Sequence, residues 1–144
     1  MSSTPQAHFR SAAELREVLD TVLRAVDGDP EAGPRLRAAA APLRFEFTDP
    51  ALTLTVVPAE DGCLIWDFSA DSKLRPKLRL CMESDFGNRL LQGRENPALA
   101  IVRGRLKTRV EDAAAAIRFF GSARPLFARY RQVVAERYPH LAVD

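Results

Sequence analysis

Apolar residues recur at helical spacing near both ends of the chain. Between Ser11 and Gly28 they fall every three or four residues, and Ser11 with Glu14 has the spacing of a capping box, in which each side chain satisfies a free backbone N–H. Residues 125–137 repeat this period, and their apolar side comprises Leu126, Phe127, Tyr130, Val133 and Val134. The pattern predicts two amphipathic helices, each packing one face against a core.

Between these helices the period of the apolar residues changes to two. Residues 43–48, 52–56 and 64–68 alternate apolar with polar positions and are separated by turn sequences, so they predict three consecutive antiparallel strands. Residues 77–83 predict a fourth strand and residues 105–111 a fifth. One face of the fifth strand is basic, and the other carries Leu106, Thr108 and Val110.

Three short helices are predicted around the fourth and fifth strands. Ser84 is a suitable N-cap for the first, and Gly93 is placed to end it in the left-handed conformation. Pro97 lies in the first turn of the second helix, and residues 112–120 predict the third. This order of elements indicates an α+β fold, with a five-stranded, mostly antiparallel sheet covered by helices.

The composition is that of an ordinary globular domain. Hydrophobic residues make up 47% of the 144 residues and charged residues 28%, and no apolar run approaches the roughly 18 residues that cross a bilayer. We therefore expect a single domain over residues 1–144, with residues 1–10 as a flexible leader, in the cytoplasm. Cys63 and Cys81 are expected to be buried thiols in that reducing compartment, and the sequence leaves open whether they lie close together.

The net charge of +2 is unevenly distributed along the chain. Residues 1–88 carry 10 basic and 14 acidic side chains, whereas residues 89–144 carry 11 basic and 5 acidic. Four cations alternate near the fifth strand, namely Arg103, Arg105, Lys107 and Arg109. They are suited to an acidic ligand head group or to transient contact with an anionic membrane surface, but a solvated sheet face has the same pattern.

Signatures of catalysis and of nucleic-acid binding are weak. His8 lies in the expected leader and His140 four residues from the end, so neither is a good candidate for a general base. The sequence contains no nucleophile elbow, phosphate-binding glycine loop, dinucleotide fingerprint or zinc signature, and no catalytic residue, metal or cofactor is predicted. The last helix mixes arginines with aromatic residues, but those aromatics share the face expected to pack, which argues against a nucleic-acid partner.

One long stretch carries a family resemblance. Residues 78–120 read LRLCMESDFGNRLLQGRENPALAIVRGRLKTRVEDAAAAIRFF, and this succession of strand, short helices, glycines and basic strand resembles the sterol carrier protein 2 (SCP2) family. The matching positions are Ser84, Phe86, Leu90, Leu91, Gly93, Pro97, Ala100, Gly104, Leu106 and Lys107. The resemblance covers residues 43–120 and departs at residues 110–112, Val-Glu-Asp, where members commonly have Gly-Asp. This departure leaves open the chain direction or the pocket wall at that corner.

The resemblance implies a sheet with helices over one face that enclose an apolar tunnel, which binds sterols, fatty acyl chains or other lipids without chemistry. The residues themselves provide surplus apolar side chains on short helices, which either line such a cavity or fill one another. The predicted ligand-binding residues are Phe47, Leu54, Trp66, Phe86, Leu90, Leu99, Ile117, Phe120 and Phe127. An alternative is an enzyme or accessory protein acting on a hydrophobic intermediate of a specialised biosynthetic pathway, and the ligand and the oligomeric state are left open.

Overall fold

The structure, a computed structural model, describes residues 8–31, 33–34, 43–58, 64–69, 76, 78–110, 119–121 and 124–143. Its helices are α1 (Ala12–Asp27), α2 (Ser84–Leu91), α3 (Pro97–Val102) and α4 (Arg124–Arg137), followed by a 3₁₀ turn at Pro139–Leu141. Its strands are β1 (Leu43–Thr48), β2 (Leu52–Pro58), β3 (Leu64–Asp67), β4 (Leu78–Glu83) and β5 (Lys107–Val110). Of the predicted helix at residues 112–120, the described part is helical, and the remainder lies outside the described residues.

Over the described residues the strands form one mixed five-stranded sheet, in the order β3-β2-β1-β4-β5. β1 with β2, β2 with β3, and β4 with β5 pair antiparallel, as in the mostly antiparallel sheet that was predicted. β1 and β4 pair parallel at the centre. The sequence did not indicate this pairing, because alternation defines the two faces of a strand but not its neighbour.

The two faces of the sheet differ in polarity. Leu54, Phe45 and Leu80 lie side by side on β2, β1 and β4, and all three are buried. On the opposite face Arg79 lies beside Arg109 on the neighbouring strand. The buried face therefore belongs to the core, and the polar face of β4 and β5 carries cations.

The long helices α1 and α4 pack against each other. Arg129 on α4 donates from Nε to Oδ2 of Asp29, just beyond α1, at 2.9 Å. The predicted start of α1 is confirmed, since the Ser11 hydroxyl accepts a hydrogen bond from the Glu14 N–H at 3.1 Å. None of the helices formed by the described residues combines the length and apolar character that crossing a membrane requires.

The expected flexible leader is corrected at its C-terminal end. Phe9 is buried in the core, and Nδ1 of His8 pairs with the carboxylate of Asp85 on α2. Burial of an aromatic ring offsets the entropy lost by ordering a few residues, so residues 8–10 belong to the fold. Residues 1–7 lie outside the described residues.

The start of α2 differs from the prediction as well. β4 runs directly into the helix, so Glu83 takes the N-cap position and Ser84 is already helical. The Ser84 hydroxyl donates instead to the carbonyl oxygen of Pro50 at 2.7 Å. It thereby fastens α2 to the turn between β1 and β2, while Gly93, with φ of +78°, follows the helix in the predicted left-handed conformation.

Candidate functional site

The nine predicted ligand-binding residues are dispersed by the fold. Phe47, Leu54, Phe86 and Leu90 are buried; Trp66, Phe120 and Phe127 are partly buried against the core; Leu99 is exposed; and Ile117 lies outside the described residues. The position of Leu99 corrects the prediction of an inward-facing side chain. Helix α3 attaches through the buried Ala100, so Leu99 faces outward with 45% of its surface exposed.

Beneath α2, part of the expected hollow is occupied by protein. A methyl group on Gly87 would lie 2.8 Å from Cε1 of Phe47 and 3.1 Å from Sδ of Met82. The Phe47 ring stacks on that of Phe45, with centroids 5.7 Å apart. Glycine thus lets α2 approach β1 and β4 closely, and these side chains fill the space between them.

A second aromatic contact involves a residue that the sequence prediction missed. The buried Phe119 meets Phe45 edge-on at a centroid distance of 6.2 Å and meets Phe120 at 5.2 Å. The prediction chose Phe120, which is half-buried. Adjacent phenylalanines point in different directions on a helix, and the sequence pattern does not reveal which one faces the sheet.

Trp66 is separated from the predicted site residues on α2. It lies on the edge strand β3, with β2 and β1 between it and β4. Its indole Nε1 donates to Oδ1 of Asp20 on α1 at 2.8 Å. Trp66 therefore fixes the edge of the sheet to α1, beside an open groove that includes Arg16 and Phe68.

A cleft of about 390 Å³ opens where α2, β4 and the start of β5 meet. We name it the Phe86 cleft. Its floor is apolar, formed by the buried Met82 and Phe86, and its rim includes the exposed cations Arg105 and Lys107. The other lining residues in the described part of the chain are Thr48, Cys81, Glu83 and Gly104.

Two arginines lie against the Phe86 ring, and one of them, Arg105, lines the cleft. The guanidinium carbon of Arg105 is 5.0 Å from the centroid of the Phe86 ring, and that of Arg89 is 5.8 Å from it. Arg89 is fixed by Glu95, with Nε to Oε1 at 3.2 Å. Arg105 follows Gly104, whose φ of +74° turns the chain between α3 and β5. Arg105 thus covers an apolar surface with a cation at the mouth of the cleft.

Cys81 in the same cleft is not equipped as a nucleophile. Burial, together with the carboxylate of Glu46, raises the pKa of the Cys81 thiol. The thiol donates a hydrogen bond to Oε2 of Glu46 at 3.2 Å. A protonated thiol is a poor nucleophile, so Cys81 lines the cleft without being a candidate for catalysis. Cys63 lies outside the described residues, and its distance from Cys81 stays open.

A buried polar network fixes the helix that carries Phe86. Asn88 Nδ2 on α2 and Gln92 Nε2 at its C-cap both donate to the Leu141 carbonyl oxygen at 2.8 Å. The Tyr130 hydroxyl on α4 donates to Oδ1 of Asn88 at 2.7 Å, and the Val143 N–H donates to Oε1 of Gln92 at 3.1 Å. Burial holds the pKa of Tyr130 far above its ordinary value of 10.0, so its hydroxyl stays a donor.

Comparison with known proteins gives one family and one fold. The model of the SCP-2 sterol transfer family matches residues 19–109, more than half of the chain. The solution structure of the sterol carrier protein domain 2 of Helicoverpa armigera is similar, with a TM-score of 0.61 and 14% identity over 89% of this chain and 95% of that chain. A UbiJ-SCP2 ubiquinone synthesis protein has a TM-score of 0.57 and 15% identity over 86% of this chain and 96% of that chain.

A much longer enzyme shares part of the fold. The inverting sec-alkylsulfatase Pisa1 from Pseudomonas sp. matches 60% of this chain with a TM-score of 0.50 and 15% identity, and the chain spans only 13% of that enzyme. No curated protein matches the chain by sequence. At these identities the structural likenesses establish the fold alone.

Proposed function

We propose, because the chain belongs to the SCP-2 sterol transfer family, that it binds a hydrophobic ligand such as a sterol or a fatty acyl chain and carries it without chemical change. The observation that carries this proposal is the composition of the Phe86 cleft. An apolar floor of Met82 and Phe86 suits the ligand's hydrocarbon, and the cations Arg105 and Lys107 suit a polar or anionic head at the water-facing rim.

The size of the cleft is adequate for such a ligand. Its volume of about 390 Å³ falls in the range of about 300–1,000 Å³ typical of small-molecule sites. Burial of apolar ligand surface contributes about 25 cal/mol per Å². For a long acyl or polycyclic group this amounts to several kcal/mol, which supports affinities on the order of micromolar after the costs of association.

Titration with a fluorescent fatty acid, with competition by unlabelled fatty acid, tests the proposal. Thr48 is exposed at the edge of the cleft, so Thr48→Trp fills the cleft without disturbing the core and is expected to weaken binding at least tenfold. Ala51→Trp is the matched control, because Ala51 is exposed in the adjacent turn and does not line the cleft. Equal affinities of the two variants, or no saturable binding by the unmodified protein, contradict the proposal.

The alternative function uses the same cleft for a hydrophobic biosynthetic intermediate. The likeness to a UbiJ-SCP2 ubiquinone synthesis protein makes a prenylated aromatic compound the first candidate of this kind. Mass spectrometry of the compounds extracted from the purified protein separates the two functions. Sterols or fatty acids favour carriage of a general lipid, whereas a single prenylated aromatic compound favours the accessory role.

A further inference from the structure

Helix α3 exposes apolar side chains that a packed helix would bury. In the part of the chain that the structure describes, four large apolar side chains are exposed, and three of them are on α3: Leu99 at 45%, Ile101 at 40% and Val102 at 82%. The inner side of the helix is marked by the buried Ala100, and its C-terminal end is held by the Ala100 carbonyl, which accepts hydrogen bonds from the N–H groups of Arg105 at 2.9 Å and Leu106 at 3.2 Å. Its outer side therefore projects from the molecule.

Cations follow this apolar surface directly. Residues 96–110 contain four basic residues and no acidic one, and Arg103, Arg105, Lys107 and Arg109 are all exposed. Arg109 also lies directly opposite Arg79 in the pairing of β4 with β5. Like charges in opposite positions of neighbouring strands disfavour the sheet. Oε1 of Glu46 on β1 lies 4.0 Å from Nη1 of Arg79 and offsets part of this repulsion, so Arg109 is the member of the pair that is more available to an anionic surface.

The same segment borders the Phe86 cleft. Gly104, Arg105 and Lys107 all line the cleft, and Val102 lies two residues before Gly104. Glu83 is the one carboxylate among the described lining residues, and the cations outnumber it. The exposed apolar surface and the mouth of the cleft are therefore neighbours.

We propose that α3 and the cations that follow it dock on a lipid bilayer that contains anionic lipid. Leu99, Ile101 and Val102 enter the interfacial region, and the cations meet the lipid head groups. The mouth of the Phe86 cleft then faces the bilayer, so that a hydrophobic ligand exchanges with the membrane without crossing water. This inference rests on the proposed function, because the ligand taken from the membrane is the one that the cleft carries.

Charge and area favour a bilayer over a protein partner. A symmetric pair of chains would place the same cations against each other around α3, which is repulsive. Three side chains on a six-residue helix provide little of the roughly 1,200 Å² or more that stable protein interfaces bury. Shallow insertion combined with several cations is by contrast sufficient for reversible membrane binding.

The first experiment tests insertion by co-sedimentation with vesicles. One vesicle preparation contains phosphatidylcholine and phosphatidylserine in equal parts, and the other contains phosphatidylcholine alone. Val102→Asp is expected to lower binding to the anionic vesicles by about tenfold or more, since it removes an inserted apolar group and adds a repelled charge. Ile65→Asp is the matched control, because Ile65 is 49% exposed on the far edge strand β3, and its binding is expected to equal that of the unmodified protein.

The second experiment tests the charges. The double variant Arg103→Gln with Arg109→Gln removes two exposed cations that do not line the cleft, and it is expected to lower anionic-vesicle binding by about 30-fold. The control Arg131→Gln with Arg137→Gln removes two exposed cations from α4 and is expected to change it far less. If the two double variants lose the same amount of vesicle binding, the effect depends only on overall net charge, and the proposed docking site is wrong.

The outcomes separate this inference from the proposed function. The variants at Val102, Arg103 and Arg109 lie outside the cleft lining, so they are expected to bind a fluorescent fatty acid in solution as the unmodified protein does. Retained vesicle binding by Val102→Asp overturns the docking proposal and leaves the ligand proposal standing. Absence of saturable fatty-acid binding rejects the ligand proposal, whatever the vesicles show. If instead the unmodified protein self-associates and does not bind vesicles, and Val102→Asp abolishes the self-association, the partner of this surface is a second copy of the chain and the membrane proposal is wrong.

Discussion

Glu14 connects segments that are distant in sequence. Its Oε1 accepts a hydrogen bond from the Arg10 N–H at 2.9 Å, and its Oε2 lies 3.1 Å from Nε2 of His140. Burial alone raises the pKa of Glu14, but the Arg10 N–H, His140 and the charge of Arg10 together outweigh burial and hold the pKa below its ordinary value of 4.5. The ionised carboxylate therefore stabilises the fold.

The sign of this effect gives a pH-dependent prediction. Because the pKa of Glu14 is lower in the folded than in the unfolded protein, its ionised carboxylate adds to the free energy of unfolding above pH 4.5. This contribution is lost as the pH falls through the lower, folded-state pKa. Glu14→Gln is expected to reduce the free energy of unfolding by about 1 kcal/mol at neutral pH and to have little effect in strong acid. Urea unfolding at neutral pH and in strong acid measures the free energy of unfolding of both proteins. The same loss under the two conditions would contradict the view that Glu14 stabilises the fold through its charge.

Gly87 is the residue at which a single methyl group has the clearest expected effect. The methyl group of Gly87→Ala would lie within 2.8 Å of a Phe47 ring that is itself stacked on Phe45. We expect a loss of about 1–3 kcal/mol in the free energy of unfolding, even though alanine favours a helix by about 1 kcal/mol relative to glycine. Denaturant titration provides the measurement.

Gly121→Ala is the control for this substitution. Gly121 is helical, and among the described residues no atom outside its own turn of helix lies within 4 Å of the position that its methyl group would take. The helix preference of alanine then acts alone, so this variant is expected to be as stable as the unmodified protein or more so. Equal stability of the two alanine variants would show that the Phe47 ring can move aside.

At the scale of elements, α2, α4 and the C-terminal turn are coupled through one side chain, Asn88. In Asn88→Leu the buried Tyr130 hydroxyl loses the acceptor that lies 2.7 Å away. The Leu141 carbonyl oxygen still accepts a hydrogen bond from Nε2 of Gln92. An unsatisfied buried donor costs about 1–3 kcal/mol. We expect Asn88→Leu to lose that amount in urea unfolding, and the added substitution Tyr130→Phe to recover part of it, because no hydroxyl then remains unpaired. Strictly additive losses would show that the two side chains are not coupled.

The elements themselves were largely predictable, because their signals are local. Apolar spacing gave α1, α4 and the five strands, and the serine and glutamate of the capping box gave the start of α1. The start of α2 was not predictable in the same way, since a serine beside a strand end caps a helix or enters it according to whether a loop residue intervenes. The parallel pairing of β1 with β4 joins residues about 35 positions apart, and no local pattern encodes such a contact.

At the scale of the molecule, the candidate site was less predictable than the fold. Phe86 was expected to bind ligand and does line the cleft, and Arg105 and Lys107, for which an acidic head group was one of the partners left open, lie at its rim. Met82 was recognised as a strand residue, but its position beside Phe86 depends on how α2 folds back over β4. Leu99 shows the converse: apolar character predicted burial, while the contact made by its neighbour Ala100 decided which side of α3 faces inward.

The charge at the rim of the cleft gives the last prediction, which concerns ligand selectivity. If Lys107 meets the head group, a fatty acid binds more tightly than the fatty alcohol of the same chain length, because only the acid carries a negative charge. Lys107 is exposed, and exposed ion pairs contribute about 0.2–1 kcal/mol, so Lys107→Gln is expected to reduce this preference by about 1.4- to fivefold. Competition titrations with both ligands measure the ratio of affinities, and Arg131→Gln serves as the control for net charge. If Lys107→Gln weakens the binding of acid and alcohol equally, Lys107 shapes the cleft but does not contact the head group. Any preference for the acid must then come from Arg105.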